Sequence, residues 1–196
     1  METRSGKFVP FEITICGIDE LGDHCKVGVS HVLSILDPAA LQPPAFDSFG
    51  EHERMELRFD DVIEERPDRV APARQHIEEI LAFGRNLAAE ATANAHLLVH
   101  CHAGISRSTA AMTLILAQVL PERSADEVIE EVLRIRSGAW PNLRIIELGD
   151  ELLGRNGELV NAVPAAYRAQ LQRRPELEGL FRESGRGREV ERALGW

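Results

Sequence analysis

The stretch LLVHCHAGISRSTAAMTLILAQVL, residues 97–120, decides the fold of this 196-residue chain. Its first three residues, Leu97, Leu98 and Val99, form a short apolar run that is typical of a fully buried strand. Residues 109–120 are apolar almost all the way round a helix, which indicates a buried helix rather than an amphipathic one. The sequence therefore predicts a central strand that delivers a small glycine-containing loop to the start of a central helix.

The predicted loop, residues 100–108, is suited to bind an anion. In such a turn the loop amides and the free N–H groups of the first helical turn converge on one point, with the helix dipole behind them. Cys101 stands at the mouth of this concavity, where a thiol ionises more readily than a free one. Arg107 closes the loop with a planar fork that matches two phosphate oxygens. The loop therefore predicts a phosphate site with a thiolate nucleophile, and Ser108 can donate a hydrogen bond to the sulfur.

The string HCHAGISRST, residues 100–109, resembles the signature loop of the cysteine-dependent protein tyrosine phosphatases, especially the compact, bacterial-type dual-specificity branch. The match is Cys101, five residues, Arg107 and Ser108, with His100 in front and Ala103-Gly104 inside. The resemblance implies a phosphomonoester hydrolase, a protein tyrosine or dual-specificity phosphatase, that works through a phosphocysteine intermediate without a metal or organic cofactor. It also implies that His100 orients the loop. The substrate-binding residues implied in this way are His102, Ala103, Gly104, Ile105, Ser106 and Arg107.

A second functional group is expected, because cysteine attack on a phosphomonoester leaves an alkoxide or phenoxide that needs a proton. The resemblance implies that the acid is an Asp on a mobile loop upstream of the cysteine. Asp60 and Asp61 directly follow a predicted strand, and ligands of open α/β sheets gather outside the carboxyl ends of strands. If Leu57 and Phe59 point inward, strict alternation turns Asp61 towards the crevice and Asp60 away from it. Asp61 is therefore the predicted general acid, and Asp60 is the alternative. Glu64 and Glu65 also stay open, although they lie further along the loop.

Hydrophobic periodicity outside the loop predicts an α/β fold. The segments with strand-like patterns before the central strand are residues 11–15, 29–36 and 55–59. The segments with helical spacing or a helix cap are residues 72–91, the stretches that follow Ser124 and Asn142, and residues 158–173. Strands first and helices afterwards, around a buried strand, favour a three-layer α/β domain. The resemblance implies a phosphatase-like domain, whose central, mostly parallel sheet is flanked by helices.

The last part of the chain is predicted to be separate from this domain. The best candidate for a boundary is near Pro164, which gives a catalytic domain over residues 1–163 and a C-terminal helical appendage or tail over residues 164–196. Within the appendage, the run Gly185-Arg186-Gly187-Arg188 is typical of a mobile tail.

Composition limits the partners and the compartment. A net charge of −10 disfavours nucleic acid and acidic membrane surfaces as partners. The three cysteines are an odd number without close pairing, which fits a reducing compartment. Because the chain shows neither an N-terminal signal nor an apolar run of membrane-spanning length, the expected location is the cytoplasm. The expected partners are a phosphorylated protein or a small phosphomonoester, and phosphate or sulfate is able to occupy the loop.

Three other interpretations compete with hydrolysis. The alternative from a different class is a phosphate-binding pseudophosphatase, an interaction module, which the intact Cys101, Arg107 and nearby acid argue against. A rhodanese-like sulfur transferase also uses a cysteine in an anion-binding loop, but the loop length and His100 favour phosphate. Zinc at His96, His100, Cys101 and His102 is disfavoured, because alternate strand residues face opposite sides and no matching ligand pair follows. The physiological substrate stays open.

Overall fold

A parallel β-sheet lies at the centre of the computed structural model, which describes residues 8–90 and 94–195. The strands within these residues are β1 Glu12–Cys16, β2 His31–Leu36, β3 Glu53–Arg58 and β4 His96–His100. They lie in the order β1-β4-β2-β3, and every neighbouring pair is parallel. Strand β4 is therefore flanked on both sides, and its residues 97–99 are fully buried, as the apolar run predicts.

Helices account for most of the remaining chain. Those in the described residues are α1 Leu21–His24, α2 Arg74–Glu90, α3 Arg107–Val119, α4 Ala125–Ile135, α5 Leu143–Leu153, α6 Glu158–Ala162, α7 Pro164–Arg173, α8 Leu177–Glu183 and α9 Gly187–Leu194. Helix α3 is buried along most of its length and packs against α2, α4 and α5, which confirms the predicted central helix. The predicted end of α2 at Ala91 lies outside the described residues. None of the helices in residues 8–90 and 94–195 is both long and apolar enough to cross a membrane.

The sheet separates two hydrophobic cores, because successive side chains of a strand point to opposite faces. Leu97 and Val99 enter the larger core, together with side chains from α2 to α7 and α9. Leu98 enters the smaller core on the other face, where it meets Leu21 of α1 and Phe46 of the 3₁₀ turn Pro44–Ser48. The predicted mixed α/β fold, a parallel sheet flanked by helices, is thus confirmed.

The structure differs from the predicted mobile tail at residues 185–188. Arg186 is 6% exposed, and Gly187 is the first residue of α9. Two glycines and two arginines have the composition of a flexible segment, but α9 buries Val190 and Ala193 in the main core. Helix α9 packs against α7 and α8, so tertiary contacts determine the conformation of this segment. The boundary at Pro164 stays a prediction.

Candidate active site

Residues 101–106 form the loop between the carboxyl end of β4 and α3, and Gly104 fixes its shape. Gly104 has a φ of +68°, in the left-handed region that favours glycine. A Cβ at this position would lie 2.4 Å from the carbonyl carbon of Cys16 and 2.5 Å from the backbone nitrogen of Gly17. The loop therefore packs directly against the end of β1, and both its conformation and the available space require glycine.

The loop carbonyls are bound from outside the loop. The backbone N–H of Ile18 donates to the carbonyl of His102 at 2.9 Å, and that of Trp140 donates to the carbonyl of Ile105, also at 2.9 Å. The carbonyl of Ala103 accepts a hydrogen bond from an Nη atom of the Arg136 guanidinium at 3.1 Å. In a trans peptide the C=O and the following N–H point in opposite directions. Carbonyls held on the outside therefore turn the next amides towards the concave side, where an anion would bind.

Cys101 lies at the base of a cavity of about 480 Å³. Its side chain is buried, and its Sγ lies 3.2 Å from Ser108 Oγ, within hydrogen-bonding distance. The residues that line the cavity include Asp37, Asp60, Asp61, Cys101, His102, Ala103, Ile105, Ser106, Arg107, Phe181 and Arg186. Most of the predicted site residues thus line one cavity. Ser108 is not among them, but its Oγ contacts the sulfur of Cys101, which is.

Arg107 is buried, lines the same cavity as Cys101 and has two partners. One of its Nη atoms donates to the carbonyl oxygen of Phe59 at 2.6 Å and pairs with Asp37 Oδ1 at 2.6 Å. Its Nε is buried and has no hydrogen-bond partner among the described residues. Because a buried donor without a partner costs free energy, a bound oxyanion at this place would be stabilised. Asp37 was missed by the sequence reasoning, although it follows strand β2 as Asp60 and Asp61 follow β3.

Asp61 lies on the loop of residues 59–73 between β3 and α2, here called the acid loop after the role predicted for Asp61. Its carboxylate touches residues 101–106, the predicted phosphate-binding loop. Oδ1 accepts hydrogen bonds from Ser106 Oγ at 2.7 Å and from Asn142 Nδ2 at 2.8 Å, and Oδ2 accepts one from Arg186 at 3.1 Å. Burial disfavours the charged form, but the charges of Arg186 and Arg107 and the two hydrogen bonds outweigh it and lower the pKa of Asp61. The carboxyl is therefore ionised in the free protein.

Asp60, the alternative acid, is bound within its own loop. Its Oδ2 accepts from the backbone N–H of Val70 at 2.7 Å, and its Oδ1 accepts from Arg69 at 3.1 Å. Asp60 lines the same cavity, but these contacts brace the acid loop, whereas those of Asp61 reach the loop of Cys101. Of the two carboxylates, that of Asp61 is therefore the one joined to the loop of Cys101.

The two histidines next to Cys101 have different environments. His100 is fully buried, and its ring packs 5.5 Å from the ring of Phe46, centroid to centroid. Burial lowers the pKa of His100 to about 4, and the nearby Cys101 backbone opposes this shift only in part. Neither ring nitrogen of His100 has a partner of hydrogen-bonding geometry among the described residues, so its orienting role stays a prediction. His102 is exposed at the rim of the cavity.

Two further site residues were missed or only partly predicted. Asn142 was predicted as a helix cap, and its Oδ1 does accept from the backbone N–H of Ile145, but its Nδ2 also holds Asp61. Arg186 was assigned to a tail, yet it donates to Asp61 and to Ser106 Oγ. A cap signal gives no information about a distant partner, and no local pattern relates residue 186 to residue 61.

Known proteins are similar to this chain over most of its length. No family model matches it. The chain is 26% identical over 190 residues to dual specificity protein phosphatase 12 of Rattus norvegicus, an alignment that covers 93% of this chain and 51% of the relative. The chain thus spans about half the length of that relative.

Solved structures with the same fold are also phosphatase-like. Human DUSP28 superimposes with a TM-score of 0.56 at 16% identity, over 76% of this chain and 96% of that chain. The human tyrosine phosphatase-like serine/threonine/tyrosine-interacting protein gives a TM-score of 0.55 at 18% identity, over 76% of this chain and 95% of that chain. At these identities the likeness shows the fold. The chain thus has the fold of these phosphatase-like structures, and the curated relative supports the cysteine-dependent, dual-specificity phosphatase-like superfamily.

Proposed function

We propose that this protein is a phosphomonoester hydrolase that works through a phosphocysteine intermediate, as a protein tyrosine or dual-specificity phosphatase. The observation that carries the proposal is one cavity that joins Cys101, the carboxylate of Asp61 and the buried guanidinium of Arg107, whose Nε has no partner in residues 8–90 and 94–195. A nucleophile, an anion-binding loop and a proton-transferring group in one place are what phosphoryl transfer to water needs.

In the first step Cys101 Sγ attacks phosphorus. The S–P bond forms, the ester P–O bond breaks, and the leaving oxygen takes a proton from Asp61. The loop amides and Arg107 bind the three equatorial oxygens, whose negative charge they stabilise through the transition state. The hydrogen bond between Ser106 and Asp61, at 2.7 Å, keeps the carboxyl close to the phosphoryl group in this step.

The proton for the first step arrives with the substrate, because Asp61 is ionised in the free protein. A bound phosphoryl group brings negative charge next to Asp61 and engages Arg107, and both changes raise the pKa of the carboxyl. Phosphate monoesters have a second pKa of about 6, so the monoanion that predominates below this pH carries the proton. The reaction is therefore expected to be fastest at mildly acidic pH.

In the second step Asp61, now ionised again, takes a proton from the attacking water. The O–P bond forms, the S–P bond breaks, and inorganic phosphate leaves. Ser108 Oγ, 3.2 Å from the sulfur, donates a hydrogen bond to the departing thiolate and makes it a better leaving group. Every atom needed for turnover thus comes from substrate, water and these side chains.

Phosphotyrosine or a similar phosphomonoester is the substrate that fits best. Phe181 lines the cavity, and the part of its ring that Trp140 and Arg186 leave uncovered gives a phenol ring an apolar surface to pack against. Relatives that act on phosphoinositides tend to carry lysines in the signature loop, and His102 and Ile105 stand at those places here. Because the mechanism needs a free thiol at Cys101, we also propose a reducing compartment such as the cytoplasm.

The test is hydrolysis of p-nitrophenyl phosphate in the presence of a chelator. We expect turnover without added metal, inhibition by vanadate and complete loss in Cys101→Ser. Cys25→Ser is the matched control, since Cys25 bonds the carbonyl of Gly22 outside the cavity and its loss should leave the rate unchanged. Turnover that persists in Cys101→Ser, or a wild-type protein without turnover, would contradict the proposal.

A further inference from the structure

The C-terminal segment 177–195, which comprises α8 and α9, is bound to the acid loop by three arginines. Arg186 donates to Asp61 Oδ2 at 3.1 Å, and Arg188 Nε donates to Glu64 Oε1 at 2.9 Å. In the opposite direction, Arg66 of the acid loop donates to the carbonyl of Ser184 at 3.3 Å. Segments more than a hundred residues apart are thus joined beside the cavity.

Arg186 is the buried member of this set, and its guanidinium reaches three parts of the protein. Besides Asp61, it donates to Ser106 Oγ of the phosphate-binding loop at 2.9 Å. Its Nε and one Nη donate to the two carboxylate oxygens of Glu189, at 2.7 Å and 2.8 Å, on α9 itself. One rigid fork therefore connects the acid loop, the phosphate-binding loop and the C-terminal helix.

The Glu189 carboxylate, which binds Arg186, is itself held in place. Glu189 is fully buried and accepts hydrogen bonds from Trp140 Nε1 at 2.7 Å and from the backbone N–H of Leu143 at 2.9 Å. The Trp140 ring stacks on Phe181 with centroids 4.1 Å apart, and its backbone N–H bonds the carbonyl of Ile105. Trp140 therefore contacts both the Glu189 carboxylate that binds Arg186 and the phosphate-binding loop.

We propose that Arg186 is a positioning residue that holds the Asp61 carboxylate beside Cys101, so that the segment 177–195 is a built-in clamp on the acid loop. This inference rests on the proposed function. Asn142 and Ser106 both bind Oδ1, so Arg186 supplies the hydrogen bond that fixes Oδ2 and with it the plane of the carboxylate. Charge-assisted bonds of this kind give geometric precision, and proton transfer depends steeply on geometry.

The experiment compares Arg186→Met with Arg192→Met, which removes a guanidinium from the same C-terminal segment at a place where it faces Glu147 and not the acid loop. The readout is kcat/KM for p-nitrophenyl phosphate, with a weakly basic leaving group, and phenyl phosphate, with a more basic one. Because a basic leaving group depends more on the acid, Arg186→Met should lose about tenfold or more with phenyl phosphate and about threefold or less with the nitrophenyl ester. Losing the Arg186 charge raises the pKa of Asp61 and by itself favours the protonated acid, so this loss reports the position of the carboxyl and not its protonation. Arg192→Met should keep the wild-type ratio.

Two further variants keep the test decisive. Arg186→Met leaves Glu189 buried without its cation, so the double variant Arg186→Met/Glu189→Gln removes both charges and should show the same leaving-group pattern. Arg186→Lys keeps the charge without the fork and should recover part of the loss with phenyl phosphate. The positioning role would be overturned if Arg186→Met lost kcat/KM equally on both esters or lost none. It would also be overturned if neither Arg186→Met nor Arg186→Met/Glu189→Gln folded. A wild-type protein that turns over neither ester would instead overturn the proposed function.

Discussion

Replacing Gly104 by alanine perturbs the phosphate-binding loop without touching a reacting group. The left-handed backbone, with a φ of +68°, costs an alanine about 1–2 kcal/mol. The new Cβ would also lie 2.4 Å from the carbonyl carbon and 2.5 Å from the oxygen of Cys16, whereas carbon atoms pack at about 3.5–4.0 Å. These neighbours are backbone atoms, so the loop or the end of β1 has to move by about 1 Å, at about 1–3 kcal/mol for overpacking.

The expected loss in the free energy of unfolding is therefore about 2–5 kcal/mol, measured by urea denaturation. The matched control is Gly154→Ala, which has a similar φ of +65° but no atom within 4 Å of the added Cβ, so only the backbone cost applies. A displacement of about 1 Å in the loop should also lower kcat/KM by about a hundredfold in Gly104→Ala, with no change in Gly154→Ala. If Gly104→Ala were as stable as Gly154→Ala and as active as the wild type, the reasoning would be refuted.

The remaining predictions concern pH. Burial lowers the pKa of His100 from 6.5 in the unfolded chain to about 4 in the folded protein. Between these two values the unfolded chain binds the proton and the folded protein does not, so the free energy of unfolding decreases as the pH falls below 6.5. By pH 5 this contribution lowers the free energy of unfolding by about 2 kcal/mol, which urea denaturation measures. The contribution should be absent in His100→Asn. An equal decrease in the wild type and in His100→Asn would contradict the assignment. For activity, kcat/KM should fall as the pH rises above about 6, because the proton enters with the substrate monoanion; a rate that is flat from pH 5 to pH 8 would argue against this route.

The fold was largely predictable because its central pattern is local. The apolar run Leu97, Leu98, Val99, the glycine-containing turn and the apolar residues 109–120 are contiguous, and each favours the structure that it adopts. The strand order β1-β4-β2-β3 could not be read in this way, because it depends on packing between segments far apart in the chain. The GRGR run at residues 185–188 was misread for the same reason, since local composition contains nothing about the core that α9 enters.

The same distinction holds for the site. Cys101 and Arg107 were predicted because one short loop carries both, and Asp61 was predicted because parallel strands end at a common edge; all three line one cavity. Arg186 was not found, because its partner Asp61 lies 125 positions earlier and no periodicity connects them. Asp37 could have been found from its place after β2, but its pairing with Arg107 depends on how the sheet assembles.

The central claim is that Cys101 carries the phosphoryl group during turnover. The most direct measurement is rapid mixing of Ser108→Ala with an aryl phosphate, a quench within the first turnovers, and mass spectrometry of the protein and its peptides. Because Ser108 helps the thiolate to leave, its removal should slow the second step and let the intermediate accumulate. The account predicts one added phosphoryl group on the peptide that contains Cys101 and none in Cys101→Ser. Turnover with no phosphoryl group on Cys101, or with one on another residue, would contradict it.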